Sequence, residues 1–147
     1  MKLKKITNSD IEPLSRIFFG QENEYIEFFL PFKNKEELEE LISKARKDIF
    51  YLITHKKDIV GYISLRGLDD GYSNPRFGIF ISEKYSNKGY GYSASIEVIK
   101  IVADSGNYSF IDLKVDPRNI RAINLYKKIG FEVHSTDGEE NIMILHF

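Results

Sequence analysis

Cysteine and tryptophan are absent from this chain, and so are long apolar runs. Without cysteine, the protein cannot form disulfide bonds, thiolate metal sites or a covalent cysteine nucleophile. Its longest apolar runs, such as residues 49–53, fall far short of the roughly 20 residues that span a bilayer. The lysines near the start are not followed by an apolar stretch, which is not the pattern of a signal peptide. We therefore expect a cytoplasmic protein with no membrane partner.

An excess of charge of either sign is also absent, since the formal net charge is −1. Such a balance gives no electrostatic footprint for nucleic acid, so no nucleic-acid partner is expected. The apolar fraction of 42% is typical of a globular protein, and 147 residues suffice for one sizeable core. No repeat or low-complexity linker divides the chain. We expect residues 1–147 to form a single domain, whose oligomeric state the sequence leaves open.

The first half of the chain carries two helix signals between strand signals. Residues 3–6 predict a strand, and the capping residues at 8–10 precede apolar residues at helical spacing. A second helix is predicted over residues 35–47. Residues 50–54 and 59–65 predict two strands, and the four residues between them are few enough for a hairpin. These two strands are therefore expected to be antiparallel.

A predicted strand over residues 77–82 leads through a glycine loop at 86–91 into another helix. That helix is expected to end near residue 104. Its apolar stripe is predicted to comprise Tyr92, Ser95, Ile96, Ile99, Val102 and Ala103. The loop comes after an antiparallel run, whereas the glycine loop of a dinucleotide-binding module should follow the first strand of a parallel unit. Such a module therefore fits the order poorly.

The last part of the chain predicts a strand over residues 110–115 and a helix that Pro117 opens and Ile129 ends. Residues 131–135 and 141–147 then predict a closing hairpin. The complete order is strand, two helices, an antiparallel run, then strand, helix, strand, helix and strands. We expect a mixed α/β sheet with one central crossover rather than a doubly wound parallel sheet.

The glycine loop joins a predicted strand to the start of a helix. Such a loop can direct several backbone N–H groups at one phosphate, with help from the helix dipole. Gly89 and Gly91 remove side chains that would block the approach, although a plain tight turn explains the loop equally well. Gly78, inside the preceding strand, indicates either a bulge that frees the backbone of residues 79–81 or a steric accommodation in the core.

The helix before Gly130 places an aromatic hydroxyl on its inward face. Ala122, Leu125, Tyr126 and Ile129 share one side of the helix. Tyr126 is then either a core tyrosine bonded to the backbone or a hydroxyl positioned in a site, and the helix alone favours the first.

Together, these two stretches resemble the GCN5-related N-acetyltransferase (GNAT) family. The loop Ser86-Asn87-Lys88-Gly89-Tyr90-Gly91 resembles its Q/R-x-x-G-x-G/A motif, with Ser86 in place of Gln or Arg. Residues 119–131 match its N-x-x-A-x-x-L-Y-x-x-x-G-F motif at every stated position. The resemblance runs from residue 77 to residue 133. It implies a mostly antiparallel mixed sheet of about seven strands with about four helices, whose splayed central strands form an acyl-CoA cleft.

The resemblance also implies an enzyme: an acetyl-CoA-dependent N-acetyltransferase in which a primary amine attacks the thioester directly, with no metal. Acetyl-CoA would be the co-substrate, with its pantetheine on the strand, its pyrophosphate on the loop amides and its sulfur near Tyr126, the expected general acid. The implied cofactor-binding residues are Ile79, Phe80, Ile81, Ser86, Asn87, Lys88, Gly89, Tyr90, Gly91, Tyr92, Asn119 and Tyr126. The alternatives are another acyl-CoA, a sugar-nucleotide amine as acceptor, or a non-catalytic acyl-CoA-binding sensor.

The acceptor side of the cleft and the general base are less defined. Family members often carry a glutamate on the strand before the glycine loop, where this chain has Arg76. We select no base; the candidates are Glu24, Glu27, Asp69, Asp70 and Glu83. Residues 22–32 and 67–73 precede the cofactor strand, so we expect them to form the acceptor wall. Their carboxylates predict a cationic or amphipathic amine bound by Glu24, Glu27, Asp69 and Asp70.

Overall fold

The computed structural model describes all 147 residues, and its strands form one sheet in the order β1-β2-β3-β4-β5-β7-β6. In chain order the elements are β1 (Lys2–Lys5), α1 (Asn8–Phe19), α2 (Lys35–Lys44), β2 (Ile49–His55), β3 (Asp58–Arg66), β4 (Arg76–Ile81), α3 (Tyr90–Asp104), β5 (Phe110–Val115), α4 (Ile120–Ile129), β6 (Glu132–Asp137) and β7 (Glu140–His146). Seven strands and four helices confirm the predicted mixed α/β fold. None of the helices is long and apolar enough to cross a membrane.

The centre of the sheet is where the strands separate. Every neighbouring pair is antiparallel except β4 and β5, which are parallel and pair only at Arg76 and Asp112. The Arg76 guanidinium donates two hydrogen bonds to the Asp112 carboxylate, at 2.9 and 3.1 Å, and so ties the strands together at that point. Beyond it the two strands diverge, which confirms the predicted splay.

Both faces of the sheet are covered. Successive residues of β3 point to opposite faces, so Tyr62 joins one hydrophobic cluster and Ile63 the other. The larger cluster has 16 buried residues and lies between the sheet, α3 and α4. The smaller has 8 and lies beneath α1 and α2. The sheet is thus most firmly fixed on the α3–α4 side.

Two helices differ from prediction at one end, in each case because a side chain bonds the backbone there. α2 ends at Lys44 rather than residue 47, since the Asp69 carboxylate accepts the N–H groups of residues 46–48 and holds that segment out of the helix. α4 begins at Ile120 rather than Pro117. The Asn119 side chain caps it by accepting the Ala122 N–H at 3.3 Å.

The buried stripe of α3 is rotated from the predicted one. Ala94 and Val98 are fully buried, whereas Ile96 is 39% exposed. The helix starts at Tyr90, with Gly91 set against α4 and β4: a Cβ added at Gly91 would lie 3.4 Å from Leu125. The close approach of Gly91 to Leu125 therefore determines which face of α3 points to the sheet.

The bulge predicted as one possibility near Gly78 is absent. β4 pairs with β3 in continuous register through Gly78, which faces Ser64. A Cβ added there would lie 2.9 Å from the Ser64 hydroxyl and 3.5 Å from the Phe29 ring. Glycine is therefore present for close approach, which is the steric alternative. A short 3-10 turn at Glu83–Tyr85, not predicted, follows the strand.

Candidate functional site

The diverging strands enclose a cleft of about 550 Å³. Such a volume lies within the range of small-molecule and cofactor sites. Its walls are β4 with the following loop, the start of α3, the inward face of α4, the end of β5, and aromatic side chains from residues 25–29. The two sequence stretches that resembled acetyltransferase motifs therefore meet in one cavity.

Only alternate residues of β4 turn their backbone groups toward the cleft. The Ser82 N–H donates to the Val60 carbonyl at 2.8 Å, so these two residues form a hydrogen-bonded pair across β3 and β4. Because such pairs alternate along an antiparallel ladder, Phe80 bonds to β3, whereas Ile79 and Ile81 point N–H and C=O to the opposite edge. That edge lies beyond the single β4–β5 pair and forms the cleft wall.

The loop after β4 adds a row of free backbone donors. Asn87 and Gly89 adopt left-handed φ values of 58° and 85°, which curl the chain. Gly89 is the N-cap of α3 and has no side chain to bond the first-turn N–H groups. The N–H groups of residues 87–92 have no backbone acceptor, and the positive end of the α3 dipole lies behind them. This is the chemistry of a phosphate site.

Of the loop residues predicted to bind the cofactor, Ser86, Asn87 and residues 89–92 line the cleft, but Lys88 does not. The Lys88 ammonium lies 5.7 Å from the Tyr85 ring centroid. Lys128, which sequence reasoning missed, lines the cleft instead, with its ammonium 4.6 Å from the Tyr92 ring centroid. Lys128 occupies an unspecified position of the second motif, so the sequence gave no signal for it.

Four residues that the second motif specifies line the same cavity: Asn119, Ala122, Leu125 and Tyr126. Asn119 lines the cleft while its amide oxygen caps α4. The Tyr126 ring is 6% exposed and packs edge-on against Phe77 and Phe131, at centroid distances of 6.4 and 5.9 Å. Its hydroxyl makes no hydrogen bond within the protein, and the residue lines the cleft. Burial raises the pKa of Tyr126, so the phenol stays protonated at neutral pH.

Residues 21–29 cross the mouth of the cleft and contact both walls. The Gln21 amide oxygen accepts the N–H of Glu83, at 2.9 Å, just beyond β4. The Tyr25 hydroxyl donates to the Ile81 carbonyl, and the Arg121 guanidinium of α4 lies 4.5 Å from the centroid of the same ring. A second such contact joins Arg118 to the Phe28 ring at 5.0 Å. We call residues 21–29 the strap.

The strap lines the cleft with aromatic and aliphatic side chains rather than carboxylates. Tyr25, Ile26, Phe28 and Phe29 line the cavity, whereas the adjacent Glu24 and Glu27 do not. Asp69 and Asp70 are also outside the lining, and the backbone N–H groups of residues 46–48 bind the Asp69 carboxylate and lower its pKa. Of the two segments expected to form the acceptor wall, residues 22–32 thus contribute to the cleft lining, through side chains other than the predicted carboxylates, whereas no residue of 67–73 does.

The charged side chains that line the cleft are all cations: Lys114, Arg121 and Lys128. Lys114 is paired with Asp137 at 2.6 Å, whereas Arg121 makes no ion pair and stacks on Tyr25. Glu83, the remaining candidate base, does not line the cleft, and its hydrogen bonds to Gln21 and Ser86 are made by its backbone groups. The electrostatic character of the cleft is therefore the reverse of the one that the acidic residues of the sequence predicted.

A family model described as an acetyltransferase (GNAT) domain matches residues 1–132 of the chain. The L-amino acid N-acetyltransferase AaaT of Escherichia coli (strain K12) is 31% identical over 85 residues, which make up 54% of this chain. The match covers 50% of that protein, so the chain spans about half the length of the curated relative it matches.

Two solved structures share the fold over almost the whole chain. A domain from Methanocaldococcus jannaschii has a TM-score of 0.81 at 22% identity, with 99% of this chain and 97% of that chain covered. The spermidine N-acetyltransferase from Vibrio cholerae, in complex with CoA and spermine, has a TM-score of 0.80 at 18% identity, with 99% and 94% covered. Since the family model matches well over half of the sequence, the chain belongs to the GNAT family of acetyltransferases.

Proposed function

We propose that this protein is an acetyl-CoA-dependent N-acetyltransferase that transfers the acetyl group to a primary amine. The observation that carries the proposal is the unpartnered Tyr126 hydroxyl, held beside a free strand edge and a row of free backbone donors in one cleft. A non-catalytic acyl-CoA sensor would need the donors but has no use for a buried phenol that faces the ligand. This contrast favours the enzyme.

Each part of acetyl-CoA has a matching part of the cleft. The pyrophosphate accepts hydrogen bonds from the N–H groups of residues 87–92, with Lys128 nearby as a counter-charge. The pantetheine amides meet the free backbone groups of Ile79 and Ile81, and Asn119 contacts the same arm. The thioester then lies toward Tyr126.

The transfer is a direct displacement in which the protons balance. The neutral amine attacks the thioester carbonyl, a C–N bond forms, and the C–S bond breaks. The nitrogen releases one proton to water and the sulfur takes one from Tyr126, which regains its proton from water. Even a phenol at the ordinary pKa of about 10 is a weak donor to a thiolate whose conjugate acid has a pKa of about 8–9, and burial raises the pKa of Tyr126 further. Burial in the cleft raises the basicity of that thiolate and eases the transfer.

The acceptor that suits the cleft best is an α-amine close to a carboxylate. At pH 7 a lysine-like amine costs about 4–5 kcal/mol to deprotonate, whereas an α-amine costs about 1 kcal/mol. The cations of the lining attract a carboxylate and lower the pKa of a nearby amine further. The name of the Escherichia coli relative, an L-amino acid N-acetyltransferase, supports this choice over a polyamine.

An acceptor screen tests both parts of the proposal. Free thiol release from acetyl-CoA is measured with L-phenylalanine, L-phenylalaninamide and spermidine. We expect turnover with kcat/KM highest for the amino acid, lower for its amide, and lowest for spermidine. A preference for spermidine would reject the α-amine acceptor. Tight binding of acetyl-CoA without thiol release for any amine would reject the enzyme and favour the sensor.

A further inference from the structure

Tyr25 joins the two walls of the cleft across its mouth. Its hydroxyl donates to the Ile81 carbonyl on β4, and its ring lies against the Arg121 guanidinium on α4. The ring is half-buried and lines the cavity that we assign to acetyl-CoA. Gln21 holds the start of the strap to Glu83, so both ends of this stretch are attached beside the cofactor strand.

The partner of the Tyr25 hydroxyl is one of only two β4 carbonyls that face the cleft. The alternation along β4 gives this edge the backbone groups of Ile79 and Ile81, and it turns those of Phe80 to β3. Pantetheine has two amide N–H groups, and each needs an acceptor once it leaves water. The Tyr25 hydroxyl already bonds one of the two acceptors that such an arm would use.

We propose that the Tyr25 hydroxyl competes with the pantetheine arm for the Ile81 carbonyl, so that acetyl-CoA binds only after the strap leaves this contact. The inference rests on the proposed function, because it requires the pantetheine arm to lie along β4. Release of Tyr25 also frees Arg121, which has no ion pair and is held only against that ring. The strap is therefore a gate over the cofactor arm, and its release uncovers a cation in the cleft.

Removing the Tyr25 hydroxyl tests the gate while the rest of the cleft stays unchanged. Tyr25→Phe keeps the ring and its contact with Arg121 but cannot bond the Ile81 carbonyl. A hydrogen bond that must break on binding weakens the ligand by about 2- to 10-fold. We therefore expect the Kd of acetyl-CoA, measured by calorimetry, to fall by that factor in Tyr25→Phe.

Tyr108→Phe is the matched control. Tyr108 is also half-buried, packs against the larger cluster and lies outside the cleft lining. The Kd of acetyl-CoA for Tyr108→Phe should therefore equal that for the wild type. An equal Kd for Tyr25→Phe and wild type would reject the gate alone. A higher Kd for Tyr25→Phe than for the wild type would also reject the gate, since the hydroxyl would then bind the cofactor. No acetyl-CoA binding by the wild type would reject the proposed function and the gate with it.

Amide hydrogen exchange gives an independent readout of the strap itself. In the free protein the Tyr25 N–H donates to the Glu22 carbonyl at 3.0 Å and the Phe29 N–H to the Ile26 carbonyl at 3.2 Å. We expect acetyl-CoA to speed exchange at residues 21–29 while it slows exchange at residues 87–92. Tyr25→Phe should exchange faster in the strap before any ligand is added. Slower exchange in the strap on binding would overturn the proposal, because the ligand would then hold the strap closed.

Discussion

The two walls of the cleft are built in different ways. The α3–α4 wall consists of regular helices on the larger cluster, and Ala94, Val98 and Tyr126 are almost completely buried in it. The strap consists of turns, none of its residues is buried, and its side chains are attached to the rest of the protein by hydrogen bonds, cation–π contacts and packing against the rim of the smaller cluster. Regions with few buried contacts open at low free-energy cost. The wall proposed for acetyl-CoA is thus preformed, whereas the strap has no buried residue that opposes its movement.

The difference matches what each wall is proposed to recognise. A phosphate and a pantetheine arm are constant, and backbone donors fixed by a helix start and a strand edge suffice for them. An acceptor differs from one acetyltransferase to the next, and side chains on an exposed segment can change without loss of the core. We expect substitutions in the α3–α4 wall to change binding or chemistry strongly, and substitutions in the strap to change them by smaller factors.

The largest effect should follow removal of one oxygen from the rigid wall. Tyr126→Phe keeps the buried ring but removes the proposed acid, so kcat should fall by about 10²- to 10⁴-fold with little change in the KM for acetyl-CoA. The melting temperature should stay close to that of the wild type, because the hydroxyl bonds no protein group. Steady-state kinetics and melting on the same sample check this. Wild-type turnover at saturating substrates would assign the proton transfer to water or another residue.

A charge at the start of α3 should give the next largest effect. Gly91→Glu builds a Cβ between Ile81 and Leu125 and adds a negative charge at the start of α3, near the N–H groups proposed for the pyrophosphate. Repulsion should raise the Kd of acetyl-CoA by about tenfold or more. Gly91→Ala is the control, since its Cβ would meet Leu125 at 3.4 Å, an ordinary contact, and should change the Kd little. If Gly91→Glu bound as tightly as Gly91→Ala, the loop would be only a turn.

The sequence predicted the regular parts of the molecule because their signals are local. The β2–β3 hairpin and the inward face of α4 follow from spacing over a few residues, and both are present. The end of α2 could not be found this way, since Asp69, 21 to 23 residues further along the chain, decides it. Gly78 shows the same limit: its role depends on Ser64 and Phe29, which only the fold brings near.

The acceptor wall was the least predictable part of the site. The segment itself was expected at the cleft, but its turns have no period that tells which side chains face inward. The carboxylates Glu24 and Glu27 point elsewhere, and the neighbouring aromatics line the cavity. Burial favours that outcome, since leaving an aromatic ring exposed forgoes its hydrophobic stabilisation, whereas an exposed carboxylate keeps its water.

The vertex of the cleft, where Arg76 of β4 pairs with Asp112 of β5, should be less stable once this ion pair is lost. Arg76 and Asp112 have side chains 28% and 18% exposed, and Asp112→Asn leaves the guanidinium partly buried without its charged partner. We expect a loss of about 1–3 kcal/mol in the free energy of unfolding, measured with urea. Asp104→Asn is the control, because its pair with Lys100 is largely exposed and should contribute close to nothing. Equal losses in the two variants would show that the vertex is not held by this pair.

The smallest effect concerns the turn that carries Arg118 to the strap. Two hydrogen bonds from the Arg118 side chain, with another from its backbone, lower the pKa of Asp116 from 3.8 to about 2. A lowered pKa means that the folded state favours the carboxylate, so this contribution is present above pH 3.8 and is lost as the pH falls toward 2. Carboxyl carbon shifts in an NMR titration should give the Asp116 midpoint directly. Arg118→Gln should return the midpoint toward 3.8, whereas Lys100→Gln, on the outer face of α3, should leave it unchanged.

The same Arg118→Gln variant should exchange its strap amides faster, since the contact with Phe28 loses its cation. A midpoint near 3.8 in the wild type would mean that Arg118 is free in solution, and that the strap is attached to the α4 side through Tyr25 and Arg121 alone.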